Sequence, residues 1–127
     1  MGIQENILSI DLESWVYPEI PKYRLMSSEE KKILDNGYLK RSIVYLLEIL
    51  KKTNNSATFF VVADQYNWDK EIIKLIKKNG HEIGYHTHTH IYLKDENDLN
   101  NQINLSTNFI EEIKPKGFRS PMLRYKP

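Results

Sequence analysis

The chain has no cysteine, which rules out disulfides and thiolate metal sites and leaves His, Asp and Glu to hold any metal. It has no charge surplus either. Its 18 Lys and Arg stand against 17 Asp and Glu, a net charge of +1, so nothing in the charge favours nucleic acid or an anionic membrane. No apolar run approaches the ~20 residues that a membrane span needs. The first six residues lack a basic segment followed by an apolar stretch, so no signal peptide is expected. Asn6 stands where a myristoylation signal requires Ser or Thr. These absences point to a cytoplasmic protein. With 127 residues, 40% apolar, the chain is expected to form a single domain, 1–127, with a real core.

What the chain does have is histidine, in one place. All four histidines fall within residues 81–90, in Gly80-His81-Glu82-Ile83-Gly84-Tyr85-His86-Thr87-His88-Thr89-His90. Neutral imidazole is a good ligand for zinc and its first-row neighbours. Two histidines four apart can converge on one metal from a helical turn or a curling loop. The glycine-bounded Gly-His-Glu-Ile-Gly before them reads as a buried strand entering a loop.

The rest of the chain alternates strand and helix. Residues 7–12 form a short apolar run, interrupted by Ser9, that places Asp11 and Glu13 at a strand's carboxyl end. Residues 14–36, with Trp15, Tyr17, Pro18, Pro21 and Tyr23, read as a long functional loop in which Ser27-Ser28-Glu29-Glu30 could cap a short helix. Residues 38–52 are expected to be a helix with a stripe of Leu39, Ile43, Leu46, Leu47 and Leu50. A strand over 57–62 and a helix over 69–79 follow, the helix carrying Ile72, Ile73 and Ile76 and ending at Gly80. After the histidines come one helix over 95–112, with Leu99, Ile103, Phe109, Ile110 and Ile113 inward, and a fourth strand from Gly117 to Pro121. Such βα alternation implies a parallel sheet.

In a parallel βα array the carboxyl ends of the strands share one face. Asp11-Leu12-Glu13, His86-x-x-x-His90 and Arg119-Ser120-Pro121 would then meet there. Glu13, His86 and His90 make a two-imidazole, one-carboxylate set with room for water and substrate, as a catalytic metal site requires. Asp11, close by, can serve as a base toward water.

These motifs together resemble the polysaccharide deacetylase family (carbohydrate esterase family 4, the chitooligosaccharide-deacetylase homology domain). The matching residues are Leu8-Ser9-Ile10-Asp11 with Glu13, the Thr58-Phe59-Phe60-Val61 strand, His86-Thr87-His88-Thr89-His90 after Gly-His-Glu-Ile-Gly, and Phe118-Arg119-Ser120-Pro121. The resemblance implies a parallel (β/α) barrel, of which this chain holds about the first half. It also implies hydrolysis of N-acetyl groups on a glycan or glycan precursor. By the same resemblance Asp11 is the base, Arg119 orients it, and Glu13, His86 and His90 bind a divalent metal, zinc foremost with cobalt, nickel or manganese as alternatives. Pro121 and the backbone N–H of Met122 then meet the substrate, Met122 as an oxyanion donor.

Two departures stand out. Leu12 separates Asp11 from Glu13 where the usual motif has adjacent aspartates, and no histidine follows His90 to act as the family's general acid. The chain is therefore expected to be the amino-terminal part of a larger domain or a catalytically incomplete metal-binding fragment. A metal-dependent amide hydrolase acting on a small molecule is the other functional alternative. Trp15 and Tyr17 read equally as sugar platforms or loop core. His81 reads as structural, His88 as a supporting or exposed residue, and Thr87 as a loop-stabilising hydroxyl. The expected partner is a carbohydrate, with no nucleic acid and no membrane. An unpaired sheet edge would favour association into a homo-oligomer.

Overall fold

The computed structural model describes residues 6–17 and 20–124, so Pro18 of the aromatic segment lies outside it. Three short strands, β1 (Ser9–Leu12), β2 (Thr58–Val61) and β3 (Glu82–Tyr85), form a parallel sheet in the order β1-β2-β3. The register places Asp11 beside Phe60 and Phe60 beside Gly84. The three carboxyl ends therefore lie side by side, and the chemistry-bearing residues leave the sheet together.

Period-2 alternation in β2 sends Phe59 and Val61 fully into the core. The helices that meet them carry the expected stripes. In α3 (Tyr38–Lys52) Leu39, Ile43, Leu47 and Leu50 are buried, and in α4 (Lys70–Lys78) Ile72, Ile73 and Ile76 are. Full burial of each such side chain contributes about 1.5–3 kcal/mol. Asp69 caps α4 by accepting from the Ile72 amide at 3.1 Å, and Gly80 leaves it in left-handed backbone, φ 82°.

Four expectations are corrected. The 7–12 run is not a buried strand: Ile7 and Leu8 are exposed and only Leu12 of β1 is buried, because β1 is an edge of the sheet. The segment 14–36 is more ordered than a loop. It contains α1 (Pro21–Arg24) and α2 (Ser28–Asp35), the latter opened by a Ser27–Glu30 capping box.

The single helix over 95–112 is two, α5 (Glu96–Leu105) and α6 (Thr107–Ile113). Ser106 at the joint turns its hydroxyl back to the Gln102 carbonyl at 2.9 Å, an alternative to helix propagation. Ile103 is exposed, and α5 buries Gln102 instead, with Ser106 buried at the joint. The fourth strand is reduced to one parallel bridge, Tyr85 to Phe118. Its ladder stops because Pro121 has no amide to donate and opens a 3₁₀ turn, Pro121–Leu123. Among the described residues no helix is long and apolar enough to cross a membrane.

Candidate metal and catalytic site

Glu13 leaves β1 and His86 leaves β3, at carboxyl ends on either side of β2, and the chain after His86 curls so that His90 returns beside it. The curl depends on unusual backbone. Thr87 and His90 both have positive φ, 63° and 55°, and the Thr87 hydroxyl accepts the His90 amide at 3.1 Å. A β-branched residue in the left-handed region is uncommon and is maintained only when its surroundings overdetermine it. Here they do. The Thr87 and His88 carbonyls accept from Ala63 and Asp64, at 2.9 and 3.0 Å. Gln102 of α5 accepts the His88 and Thr89 amides, both at 2.9 Å.

The donor atoms of Glu13, His86 and His90 lie within 4.8 Å of one another. Ligand atoms around a tetrahedral zinc at bonds of ~2.1 Å stand ~3.4 Å apart, so a small inward adjustment suffices. The rings of His86 and His90 are 5.0 Å apart, and His90 Nε2 contacts Glu13 Oε2 at 2.6 Å. His86 Nδ1–H donates to the Arg119 carbonyl at 2.7 Å, which fixes the tautomer and leaves Nε2 as the free lone pair. Burial holds the His86 pKa below its ordinary value, only partly opposed by that backbone bond and by Asp11, so the ring stays neutral and able to ligate. His90 Nδ1 is buried without a partner among the described residues. A purely structural histidine would be expected to satisfy both nitrogens. This donor set fits a divalent metal.

Asp11 sits at the rim. Its Oδ2 faces His86 Nε2 at 3.9 Å, and its Oδ1 accepts from Arg119 Nη1 at 2.5 Å. Arg119 Nη2 donates to Ser9 Oγ at 2.8 Å, and its guanidinium lies 4.1 Å from the centroid of the Phe60 ring. That ring has space because position 84 is glycine. A Cβ there would come within 2.5 Å of Phe60 Cδ1. Gly84, Phe60, Arg119 and Asp11 thus form one line of support across the sheet.

The remaining candidates separate. Trp15 is 42% exposed and meets Tyr23 edge-on at 5.8 Å, whereas Tyr17 is buried and stacked on Trp68 at 5.6 Å. Of that aromatic pair, Tyr17 is core. Its hydroxyl donates to buried Asp64 at 2.7 Å, and burial first, then Asp64, pushes its pKa up. Pro121 is buried, while Met122 is exposed, with Met122 and Leu123 both in left-handed backbone at φ 56° and 52°. His88 is turned away from the ligand pair. Its Nδ1 lies 3.1 Å from Ser106 Oγ, and its Nε2 faces Asp64 at 3.7 Å. His81 Nδ1 accepts the Ala57 amide at 3.4 Å. Sequence reasoning missed Gln102, Phe60 and Gly84, whose roles depend on contacts between distant segments. Ser9 did leave a signal, as the polar break in an apolar run.

Comparisons with known proteins identify the family. The sequence model of the polysaccharide deacetylase family matches residues 33–127. The peptidoglycan-N-acetylglucosamine deacetylase of Bacillus cereus is 34% identical over 80 residues, 60% of this chain and 38% of that protein. The peptidoglycan-N-acetylmuramic acid deacetylase of Bacillus subtilis is 29% identical over 110 residues, 83% of this chain and 23% of that protein. The chain therefore spans well under half the length of these curated relatives. Among solved structures, a peptidoglycan deacetylase of Bacillus subtilis superposes at TM-score 0.64 with 24% identity, covering 94% of this chain and 50% of that one. A carbohydrate esterase family 4 pseudoenzyme of Bacillus anthracis does so at TM-score 0.66 with 22% identity, covering 94% and 36%. At such identities these structures establish the fold alone. With three quarters of its length matched by the family's sequence model, the chain belongs to the polysaccharide deacetylase family.

Proposed function

We propose that the protein is a metal-dependent hydrolase that removes N-acetyl groups from a glycan of the peptidoglycan type. The observation that carries this reading is the convergence of Glu13, His86 and His90 within 4.8 Å, with Asp11 and Arg119 beside them. Family membership and the two named relatives support the acetylated-sugar substrate. The three parallel strands are read as part of a (β/α) barrel, and residues 1–127 as belonging to a single domain.

Glu13, His86 and His90 would hold the metal, and two imidazoles with one carboxylate suit zinc first. When bound, the metal supplies a Lewis acid for the acyl carbonyl and acidifies the attacking water. Asp11 is placed to take that water's proton. Arg119 occupies its Oδ1, leaving Oδ2 to face the reaction centre. Arg119 is itself pinned by Ser9 and by the Phe60 face, so it positions Asp11 rather than reacting. Met122, exposed and in left-handed backbone, would offer its N–H to the oxyanion of the attacked carbonyl. The C–N bond then breaks, acetate leaves, and the proton taken by Asp11 is available to the departing amine.

Asp11→Asn is the test. It should keep bound zinc, measured by elemental analysis, while abolishing acetate release from acetylated peptidoglycan fragments. Glu13→Ala should lose zinc. Reversed phenotypes would exchange the roles of the two acids, and full turnover by Asp11→Asn would end this mechanism.

A further inference from the structure

Period-two alternation puts Asp11 and Glu13 on one face of the chain with Leu12 buried between them, provided the extended conformation continues past the end of β1. The paired register ends at Leu12 and Val61. Beyond it β2 turns into a 3₁₀ helix, Ala63–Asn67, after one last backbone bond from the Val62 amide to the Leu12 carbonyl at 3.2 Å. On its other side β1 has no neighbouring strand among the described residues. Glu13 is thus carried one residue beyond the sheet on an edge strand, where a chain end tends to fray.

Gln65 extends the ladder with its side chain. Its Oε1 accepts the Ser14 amide at 2.5 Å, and its Nε2 donates to the Leu12 carbonyl at 2.8 Å and the Val62 carbonyl at 3.2 Å. One amide therefore grips the chain immediately before and immediately after Glu13. Its orientation is fixed by these partners, since only the oxygen can accept an N–H and only the nitrogen can donate to carbonyls. Gln65 is fully buried, so water cannot take over the bonds. Ser14 is held a second time: its hydroxyl donates to Asp35, which also accepts the Leu39 amide at 3.0 Å.

The same stretch of chain holds the histidine loop on its opposite edge. The Val61 carbonyl accepts the His86 amide at 3.0 Å, and the Ala63 and Asp64 amides donate to the Thr87 and His88 carbonyls. Those bonds run backbone to backbone. On the Glu13 side the grip after Leu12 depends on side chains, and Gln65 supplies the part that spans the ligand.

We propose that Gln65 is a positioning residue for Glu13, setting the reach of that carboxylate toward the two imidazoles across β2. The proposal rests on reading Glu13, His86 and His90 as the metal ligands. It accounts for how a glutamate past the paired strand keeps its Oε2 at 2.6 Å from His90 Nε2. Among the described residues the Gln65 side chain bonds nothing in the histidine loop, so its loss should act through Glu13 alone.

The test is a double-mutant cycle on the full chain, reading zinc affinity by chelator competition and the urea midpoint of each metal-free protein. Gln65→Met keeps the length of the side chain but has no amide. It should weaken zinc binding about tenfold in the parent. In a Glu13→Ala background, which retains both histidines, the same substitution should change the residual affinity by less than about twofold. A merely structural glutamine would instead weaken zinc binding equally in both backgrounds, in step with the urea midpoint. Gln65→Asn keeps an amide one methylene too short to span Leu12 and Ser14. Its expected loss is about threefold, again confined to the parent, and it carries the comparison if Gln65→Met fails to fold. Equal losses in the two backgrounds, or no loss in the parent, would overturn the proposal. If Glu13→Ala alone binds zinc as tightly as the parent, the ligand assignment falls and the proposal with it. A loss in Glu13→Ala with no effect of either Gln65 variant refutes the positioning role alone.

Discussion

Replacing Gln102 by Leu removes an acceptor that the histidine loop depends on, and the effect should appear first at the metal. Gln102 is 5% exposed, and its Oε1 receives the His88 and Thr89 amides at 2.9 Å and the Thr89 hydroxyl at 3.3 Å. Leucine fills a similar volume but accepts nothing. A buried donor left unpaired costs about 1–3 kcal/mol. The loop is only half-buried here, so water can replace part of each bond, and about 2–3 kcal/mol in total is expected. That loss falls on the turn that brings His90 back to His86. Removing a residue that orients metal ligands typically costs about 10–100-fold in metal affinity. At ~1.4 kcal/mol per tenfold the two figures agree.

The assay is zinc competition against a fluorescent chelator, with urea unfolding of the metal-free protein alongside. Gln102→Leu should lower both zinc affinity and the unfolding midpoint. Gln102→Glu keeps an acceptor oxygen and should restore most of the zinc affinity. If Gln102→Leu binds zinc as tightly as the parent while losing stability, the loop holds its own shape through Thr87 and this account of the clamp is wrong.

His86→Ala and His90→Ala should each reduce bound zinc severely, because two remaining ligands make a poor site. His88→Ala should keep zinc at saturating concentration, and elemental analysis showing the opposite order would mean the wrong pair is assigned. Gly84→Ala forces a Cβ to within 2.5 Å of Phe60. It should cost about 1–3 kcal/mol of stability and, by shifting the ring under Arg119, lower acetate release more than zinc content; unchanged turnover would show that Phe60 does not position Arg119. Burial holds the His81 pKa below its ordinary value, and its neutral Nδ1 accepts the Ala57 amide. The unfolded chain therefore takes up this proton first, near pH 6.5, so stability is complete above that pH and falls as pH drops toward the folded-state value. Urea midpoints at pH 7.5 and 5.5 should show this fall and a shallower one in His81→Gln, and identical slopes would remove His81 from the account.

Several features were legible along the chain because they are local. The stripe of α3 and the isoleucines of α4 follow from helical period, and their burial needs only an apolar partner. The Ser27–Glu30 capping box was visible as a four-residue pattern. His86 and His90 were readable as a pair because their spacing and residue type restrict the chemistry before any fold is known. Where local pattern met a competing demand, it failed. The 95–112 helix breaks at Ser106, whose hydroxyl satisfies a backbone carbonyl, and α5 gives its buried face to Gln102 because the loop amides need an acceptor.

Amino-acid order by itself determined the parallel βα architecture, the absence of thiolate chemistry, and the residue types able to hold a metal, since period, composition and side-chain chemistry are properties of the chain. Tertiary structure alone decided which atoms face one another. It set Arg119 on Asp11 across 108 positions of sequence, left Tyr17 in the core and Trp15 at the surface, and brought Gln102 of α5 under the histidine loop. Such distances depend on the sheet register and on helix packing, and those are settled by the whole core at once rather than by any segment within it.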